Sequence, residues 1–232
     1  ELDRRWQQRL VARSPVQYLV GTTPWRQFSL SVSPAVLIPR PETEAIIDWA
    51  IAATADSPDQ RTGHWADLGT GSGAIALGLA TAFPGVLIHA VDCSAEALAV
   101  AQQNAVDHGL GDRIRFYQGS WFTPLEHLTG ALSGMVSNPP YIPSGEMGSL
   151  QAEVQHEPHL ALDGGVDGLE AIHHLVNAAP AYLQPGGIWL VEMMAGQAAA
   201  VTQLLAAHGA YRDIRVYSDL AGIERFALAY RQ

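Results

Sequence analysis

Cysteine is nearly absent. Cys93 is the single one in 232 residues, which rules out an internal disulfide and leaves no ligands for a cysteine-rich zinc cluster. Cys93 itself reads as a small residue following a strand. Long apolar runs are missing as well: residues 74–83 form one of the longest, and it stops at Pro84, short of the roughly 20 residues that a membrane-spanning helix needs. No charged-then-apolar leader opens the chain. A cytoplasmic protein is expected on both counts. The chain begins at Glu1 rather than methionine, and its true N-terminus is expected to lie upstream. Basic residues are scarce, 13 against 23 acidic ones, for a formal net charge of −10. That balance disfavours a protein that grips naked nucleic acid through its phosphates. The one basic candidate is Arg4-Arg5 with Arg9 and Arg13. Repeats and low-complexity stretches are lacking too.

What is present is a globular composition, 48% hydrophobic and 16% charged, with enough chain for one large domain and a small appendage. A monomer is expected. Residues 1–14 read as a charged helix without a complete apolar face, the remnant of an N-terminal helical region. Residues 15–36 read as a β-hairpin connector. It has β-like runs at 16–20, 25–30 and 31–36, with turn chemistry at Gly21, Thr22, Thr23 and Pro24 between the first two. Residues 37–44 are stiffened by Pro39 and Pro41, and Glu42 and Glu44 open a helix to about residue 55. From there to residue 232 strands and helices alternate. Strands are expected at 65–68, 86–91, 114–118, 135–136 and 187–193, with helices at 73–83, 95–109, 169–183 and 197–208. Two closing strands follow at 211–217 and 224–230. That rhythm predicts an α/β fold, an open and mostly parallel sheet with helices on both faces.

The first strand–turn–helix carries a nucleotide signal. Asp67-Leu68-Gly69-Thr70-Gly71-Ser72-Gly73-Ala74 fits G-x-G-x-x-[G/A] through Gly69, Gly71 and Ala74. Asp92 ends the next strand, 23 residues after Gly69, where a carboxylate meets ribose hydroxyls. NAD and S-adenosyl-L-methionine both satisfy this geometry. An acidic strand end at Asp67 suits the cationic methionine end of the second better than a pyrophosphate. No Gly-Lys-Ser/Thr follows, which excludes a Walker phosphate loop. Trp121, in Gly119-Ser120-Trp121-Phe122, falls where an indole packs against adenine; a buried core tryptophan is the plainer reading.

Asn138-Pro139-Pro140-Tyr141 follows the apolar run 131–136. Two prolines stop the strand and remove two donors, and the residues before them are pushed out of the helical region. The result is a rigid corner that offers the Asn138 side-chain oxygen and the Pro139 carbonyl beside the face of Tyr141. Such a corner grips a planar group with two N–H bonds, an amide or an exocyclic amine. The plainer reading is a loop that ends a strand.

In order and spacing these motifs resemble the Rossmann-like, seven-stranded class I methyltransferases that use S-adenosyl-L-methionine and release S-adenosyl-L-homocysteine. Two further stretches look like signatures of the HemK-type protein-(glutamine-N5) methyltransferases: Leu37-Ile38-Pro39-Arg40-Pro41-Glu42-Thr43-Glu44, and Glu157-Pro158 with Ala161-Leu162-Asp163-Gly164-Gly165 and Asp167-Gly168-Leu169. The resemblance covers roughly residues 15–232. It implies methylation of the glutamine of the Gly-Gly-Gln loop in peptide-chain release factors, with no direct nucleic-acid or membrane partner. It implies that Asp67, Leu68, Gly69, Thr70, Gly71, Asp92, Trp121 and Asn138 bind the cofactor. Asn138, Pro139, Pro140, Tyr141 and Arg40 would meet the substrate, with Asn138, Pro139 and Tyr141 carrying the chemistry. Family members carry a helical N-terminal domain, of which residues 1–13 are expected to be the last turn, and Ser120 stands where many relatives carry an acidic residue.

The chemistry follows from the residues. An amide nitrogen is a weak nucleophile, so the task is to align and tune it, which Asn138 and the Pro139 carbonyl do by accepting both amide hydrogens. His156 and His159 read as loop residues, and no general base is assigned. Arg40 reads as a substrate contact or as the partner of Glu42 or Glu44, with Glu153 or Glu157 closing over the site. Two other acceptors fit the same corner, a ribosomal-protein glutamine and the adenine N6 of a nucleic acid.

Overall fold

The computed structural model describes residues 2–232. Glu1, where the expected N-terminal helix opened, lies outside them, as do the side chains of Leu2 and Arg4. The helix is α1 (Leu2–Val11). Arg9 and Arg13, expected as part of a basic patch, both bond Glu153, at 2.7 and 2.8 Å.

Residues 16–20 correct the β expectation: they form a short helix, α2 (Val16–Val20). Local chain chemistry overrides the β-branched side chains there. Pro15, with φ −54°, starts the turn, and its carbonyl accepts from the amides of Tyr18 and Leu19. Gly21 then adopts the left-handed conformation (φ 87°) that closes a helix, its N–H bonding the Gln17 carbonyl at 2.7 Å. The hairpin exists but is shifted. It pairs β1 (Thr22–Trp25) with β2 (Phe28–Ser31), so Thr22, Thr23 and Pro24 are strand and the turn falls at Arg26 and Gln27. Alternation decides this register, because Thr23, Trp25, Phe28 and Leu30 all face inward. Residues 32–36 are not a strand.

A 3₁₀ turn (Glu42–Glu44) leads into α3 (Ala45–Ala53). The alternating region follows as β3 (Thr62–Leu68), α4 (Ala74–Ala82), β4 (Gly85–Asp92), α5 (Ala95–Asp107), β5 (Ile114–Gln118) and β6 (Leu132–Ser137). Then come α6 (Glu170–Tyr182), β7 (Leu183–Glu192), α7 (Ala198–His208), β8 (Tyr211–Ser218) and β9 (Glu224–Arg231). The seven long strands form one sheet in the order β5-β4-β3-β6-β7-β9-β8. Pairing from β5 to β7 is parallel, and β9 inserts antiparallel to both β7 and β8. This is the expected Rossmann-like sheet. Its chain order reverses between β3 and β6, the point where α/β sheets open a crevice at their strand ends.

Helices α3 and α4 and the hairpin cover one face, burying Trp25, Ile46, Ile47, Leu77 and Leu79. Helices α6 and α7 cover the other with Ile172, Leu175, Val201 and Leu205. From α5, the buried Asn104 side chain reaches two places at once. It exchanges hydrogen bonds with the Ser31 amide (2.7 Å) and carbonyl (3.1 Å), and donates to the Ser72 carbonyl at 2.8 Å. The hairpin is thereby tied to the glycine turn.

Every residue of β6 is buried, and its Gly134 lies opposite Trp65 of β3. A β-carbon at Gly134 would fall 2.4 Å from the indole. The ring cannot easily retreat, because its Nε1 donates to the Gln60 carbonyl at 2.8 Å. Gly134→Ala should therefore cost about 1–3 kcal/mol of stability, read as a lower urea midpoint at unchanged slope.

Candidate active site

Strand β3 ends in a turn built from left-handed glycines: Gly69 (φ 78°), Gly71 (φ 53°) and Gly73 (φ 82°). The amides of Gly69 and Thr70 both bond the Val91 carbonyl of the neighbouring strand at 2.9 Å. Asp92, at the end of β4, locks the turn from above: its Oδ2 accepts from the Gly71 amide at 2.9 Å and its Oδ1 from Ser94 at 3.0 Å. Asp67 lies beneath. It is fully buried, and its Oδ2 accepts from the Thr70 hydroxyl (2.6 Å) and the Ala76 amide (3.0 Å), while Oδ1 has no partner. Burial pushes its pKa up to about 7, against the pull of those two hydrogen bonds.

A cavity opens over this turn. Gly69, Gly71, Asp92, Trp121, Asn138 and Pro140 line it, together with residues 35–37 and Pro158, Leu160 and Ala161. Asp67, Leu68 and Thr70 are not on its wall; they are buried supports of the turn. Trp121 stands close over Gly69, where a β-carbon would meet its indole at 3.5 Å.

The end of β6 delivers the corner. Asn138 is half-buried, and its Nδ2 donates to the Thr43 hydroxyl at 3.3 Å. Among the described residues no donor reaches its Oδ1. Tyr141 donates from its hydroxyl to Oε1 of the buried Glu192 at 3.2 Å. Burial, then the Glu192 charge, hold the Tyr141 phenol well above its usual range. Pro139 is buried between these residues.

The two long signature stretches meet here. Arg40 pairs with the buried Glu157 at 2.6 Å, not with Glu42 or Glu44, and Glu157 also accepts from the Ile38 amide at 3.1 Å. Residues 162–168 back the corner so closely that β-carbons at Gly164 and Gly168 would fall 2.8 and 2.3 Å from the Tyr141 backbone. Gln197 donates to the carbonyls of both Tyr141 (3.1 Å) and Gly168 (3.2 Å). Sequence reasoning missed Thr43, Glu192, Gln197 and Asn104. For Glu192 a signal existed, a lone acid ending a strand as Asp67 and Asp92 do. His156 bonds the Ala12 carbonyl and His159 lies beside Asp163, so neither joins the corner.

The methyltransferase small domain family matches residues 48–157. A release factor glutamine methyltransferase of Synechocystis sp. is 58% identical, covering 98% of this chain and 77% of that protein. Those of Thermosynechococcus vestitus and Moorella thermoacetica are 55% and 45% identical, each over 99% of this chain, covering 78% and 80% of their own lengths. The chain belongs to the release factor glutamine methyltransferases. Among solved structures, the human METTL16 N-terminal domain in complex with SAH superposes with a TM-score of 0.61 at 18% identity, covering 88% of this chain and 75% of that one. A methyltransferase from Pyrococcus furiosus gives 0.61 at 15% identity, covering 98% of each chain. At such identities these two speak for the fold, the class I methyltransferase sheet. Membership of the family makes the chain a methyltransferase.

Asp67 generates a pH prediction. Its folded pKa is raised, so the stability that its protonated form contributes is full at acid pH and lost as pH rises towards about 7. Asp67→Asn removes this loss. Its stability relative to the parent should improve by up to about 1.4 kcal/mol per pH unit between the unfolded carboxyl pKa and neutrality, measured by urea unfolding across that range.

Proposed function

We propose that the chain transfers a methyl group from S-adenosyl-L-methionine to the side-chain amide nitrogen of the Gly-Gly-Gln glutamine of a peptide-chain release factor, in the cytoplasm. The relatives' shared name supports the substrate. The observation that carries the reading is the Asn138 carboxamide, which lines the cavity shared with the glycine turn and whose NH₂ donates to Thr43, so that its oxygen, reached by no donor among the described residues, is the group left to accept.

The cavity suits the methyl donor. A β-carbon at Gly71 would meet nothing within 4 Å, so the main chain is open to a close ligand. Asp92 on the wall suits ribose hydroxyls, and the Trp121 indole suits an adenine face. Beneath the turn Asp67, off the cavity wall, adds negative character that favours a ligand with an ammonium and a sulfonium. Leu68, Gly69 and Thr70 hold these groups in place through the turn. When bound, the donor supplies an electrophilic methyl carbon and leaves as S-adenosyl-L-homocysteine.

The protein's part is alignment. Asn138 Oδ1 and the Pro139 carbonyl accept the two hydrogens of the substrate amide, which turns its lone pair away from them and draws developing positive charge onto paired donors. Tyr141 fixes the tilt of the amide plane, and Pro140 closes its edge. Positioning of this kind is worth several kcal/mol at the transition state. Arg40, fixed by Glu157, keeps the outer wall in place on the side where a substrate loop enters. No side chain is assigned as a general base; the nitrogen becomes acidic once methylated and releases its proton to water.

The test is incubation with release factors, ribosomal proteins and labelled methyl donor, followed by mass mapping. Label on the Gly-Gly-Gln glutamine supports the proposal, and label confined to another protein or to nucleic acid refutes it. Asn138→Ala should lower methyl transfer by about 100-fold or more while calorimetry finds S-adenosylhomocysteine binding nearly unchanged. A variant that kept most of its activity would remove Asn138 from the acceptor role.

A further inference from the structure

Two successive prolines leave the Asn138–Tyr141 corner with carbonyls to satisfy and few amides to hold it in place. Its anchor comes from outside, from the turn between β7 and α7. Gln197 immediately precedes α7 and is buried. Its Nε2 donates to the Tyr141 carbonyl at 3.1 Å and to the Gly168 carbonyl at 3.2 Å, while its Oε1 accepts from the Met194 amide at 2.9 Å. Two carbonyl oxygens that converge on one point repel each other, and an NH₂ with a proton for each lets them share it. Turned over, the carboxamide would set a third oxygen against that pair and an NH₂ against the Met194 amide. Its sense is therefore fixed by three partners.

The same turn holds the other end of Tyr141. Glu192, where β7 ends, accepts from the Tyr141 hydroxyl at 3.2 Å. Residues 162–164 close in on the following peptide: the Ile142 amide donates to the Leu162 carbonyl at 3.0 Å, and its carbonyl accepts from the Gly164 amide at 2.8 Å. A β-carbon at Gly164 would fall 2.8 Å from the Tyr141 Cα, so the chain has no room to shift that way. Holding the Tyr141 carbonyl fixes the turn of the chain at this residue. It thereby fixes the direction in which the Cα–Cβ bond carries the ring.

We propose that Gln197 is a positioning residue that acts through Tyr141: by bridging the carbonyls of Tyr141 and Gly168 it sets the stance of the aromatic ring against the substrate amide. The inference rests on the reading of Tyr141 as the face that fixes the tilt of the glutamine amide. Gln197 acts at one remove from the reaction, so its loss should slow the chemistry without weakening the grip on either substrate.

The experiment compares Gln197→Met, Tyr141→Leu and the double variant with the parent chain. Each is assayed on a release-factor domain, in single turnover as well as steady state, with S-adenosylhomocysteine affinity by calorimetry. Gln197→Met keeps the length of the side chain and removes its donors. It should lower kcat roughly tenfold with KM and inhibitor affinity little changed. In the Tyr141→Leu background the same substitution should cost less than about twofold, because the ring it acts through is gone. By NMR, the Tyr141 ring resonances, assigned by their loss in Tyr141→Leu, should shift in Gln197→Met although the lost bond is to the main chain. In the parent, the Gln197 side-chain amide protons should exchange at least about tenfold more slowly than those of an exposed carboxamide. A KM or inhibitor affinity that worsens as much as the rate, a full further loss in the Tyr141→Leu background, or ring resonances that stay in place would each overturn the proposal. So would exchange at the exposed rate in the parent, a measurement that stands even if Gln197→Met does not fold. If the parent chain does not methylate the release-factor domain, the substrate reading fails, and the ring resonances still decide whether Gln197 sets Tyr141.

Discussion

Parallel pairing of β4, β3, β6 and β7 is the constraint on which the site depends. Strands that run the same way must all reverse at the same edge, so four chain turns meet there without any sequence nearness. The register places Leu68 opposite Ser137 and Ser137 opposite Val191. Asp67, Asn138 and Glu192 therefore arrive within one or two residues of a common level. Asp92 joins them from β4, where Leu68 is opposite Val91. Each strand contributes one polar group at the point where its apolar run ends. The chemistry of the site is in this sense a by-product of how the core stops.

Much of this was legible in the sequence because the decisive groups are local. The glycine turn and the Asn-Pro-Pro-Tyr corner are contiguous, and each owes its shape to its own residues: positive φ at Gly69, Gly71 and Gly73, and two prolines in succession. The alternation of apolar strands and helices likewise carries the sheet. What was not legible is what lies between segments. Thr43 reaches Asn138 across 95 positions of chain, and Arg40 reaches Glu157 across 117. No spacing rule connects such residues. The error at residues 16–20 has another origin. A five-residue stretch rich in valine has a weak β preference, and a proline before it with a left-handed glycine after it outweighed that preference.

Two carboxyls, Asp67 and Glu192, stand fully inside the protein with pKa values pushed up to about 7. Buried acids of this kind lower stability once they ionise. One lies under the turn proposed to hold the cation-bearing donor, the other behind the corner proposed to hold the amide. A fold that tolerates this cost at two strand ends is concentrating its unfavourable electrostatics where function is proposed, as perturbed titrations commonly indicate.

The three hydrogen bonds of Asn104 make the hairpin and the glycine turn a single mechanical body. Glycine-rich segments are normally the loosest part of a nucleotide-binding fold, and a ligand must quieten them as it enters. Here the quietening is built in before any ligand arrives. The free energy of docking is then spent on contacts rather than on restraining the loop.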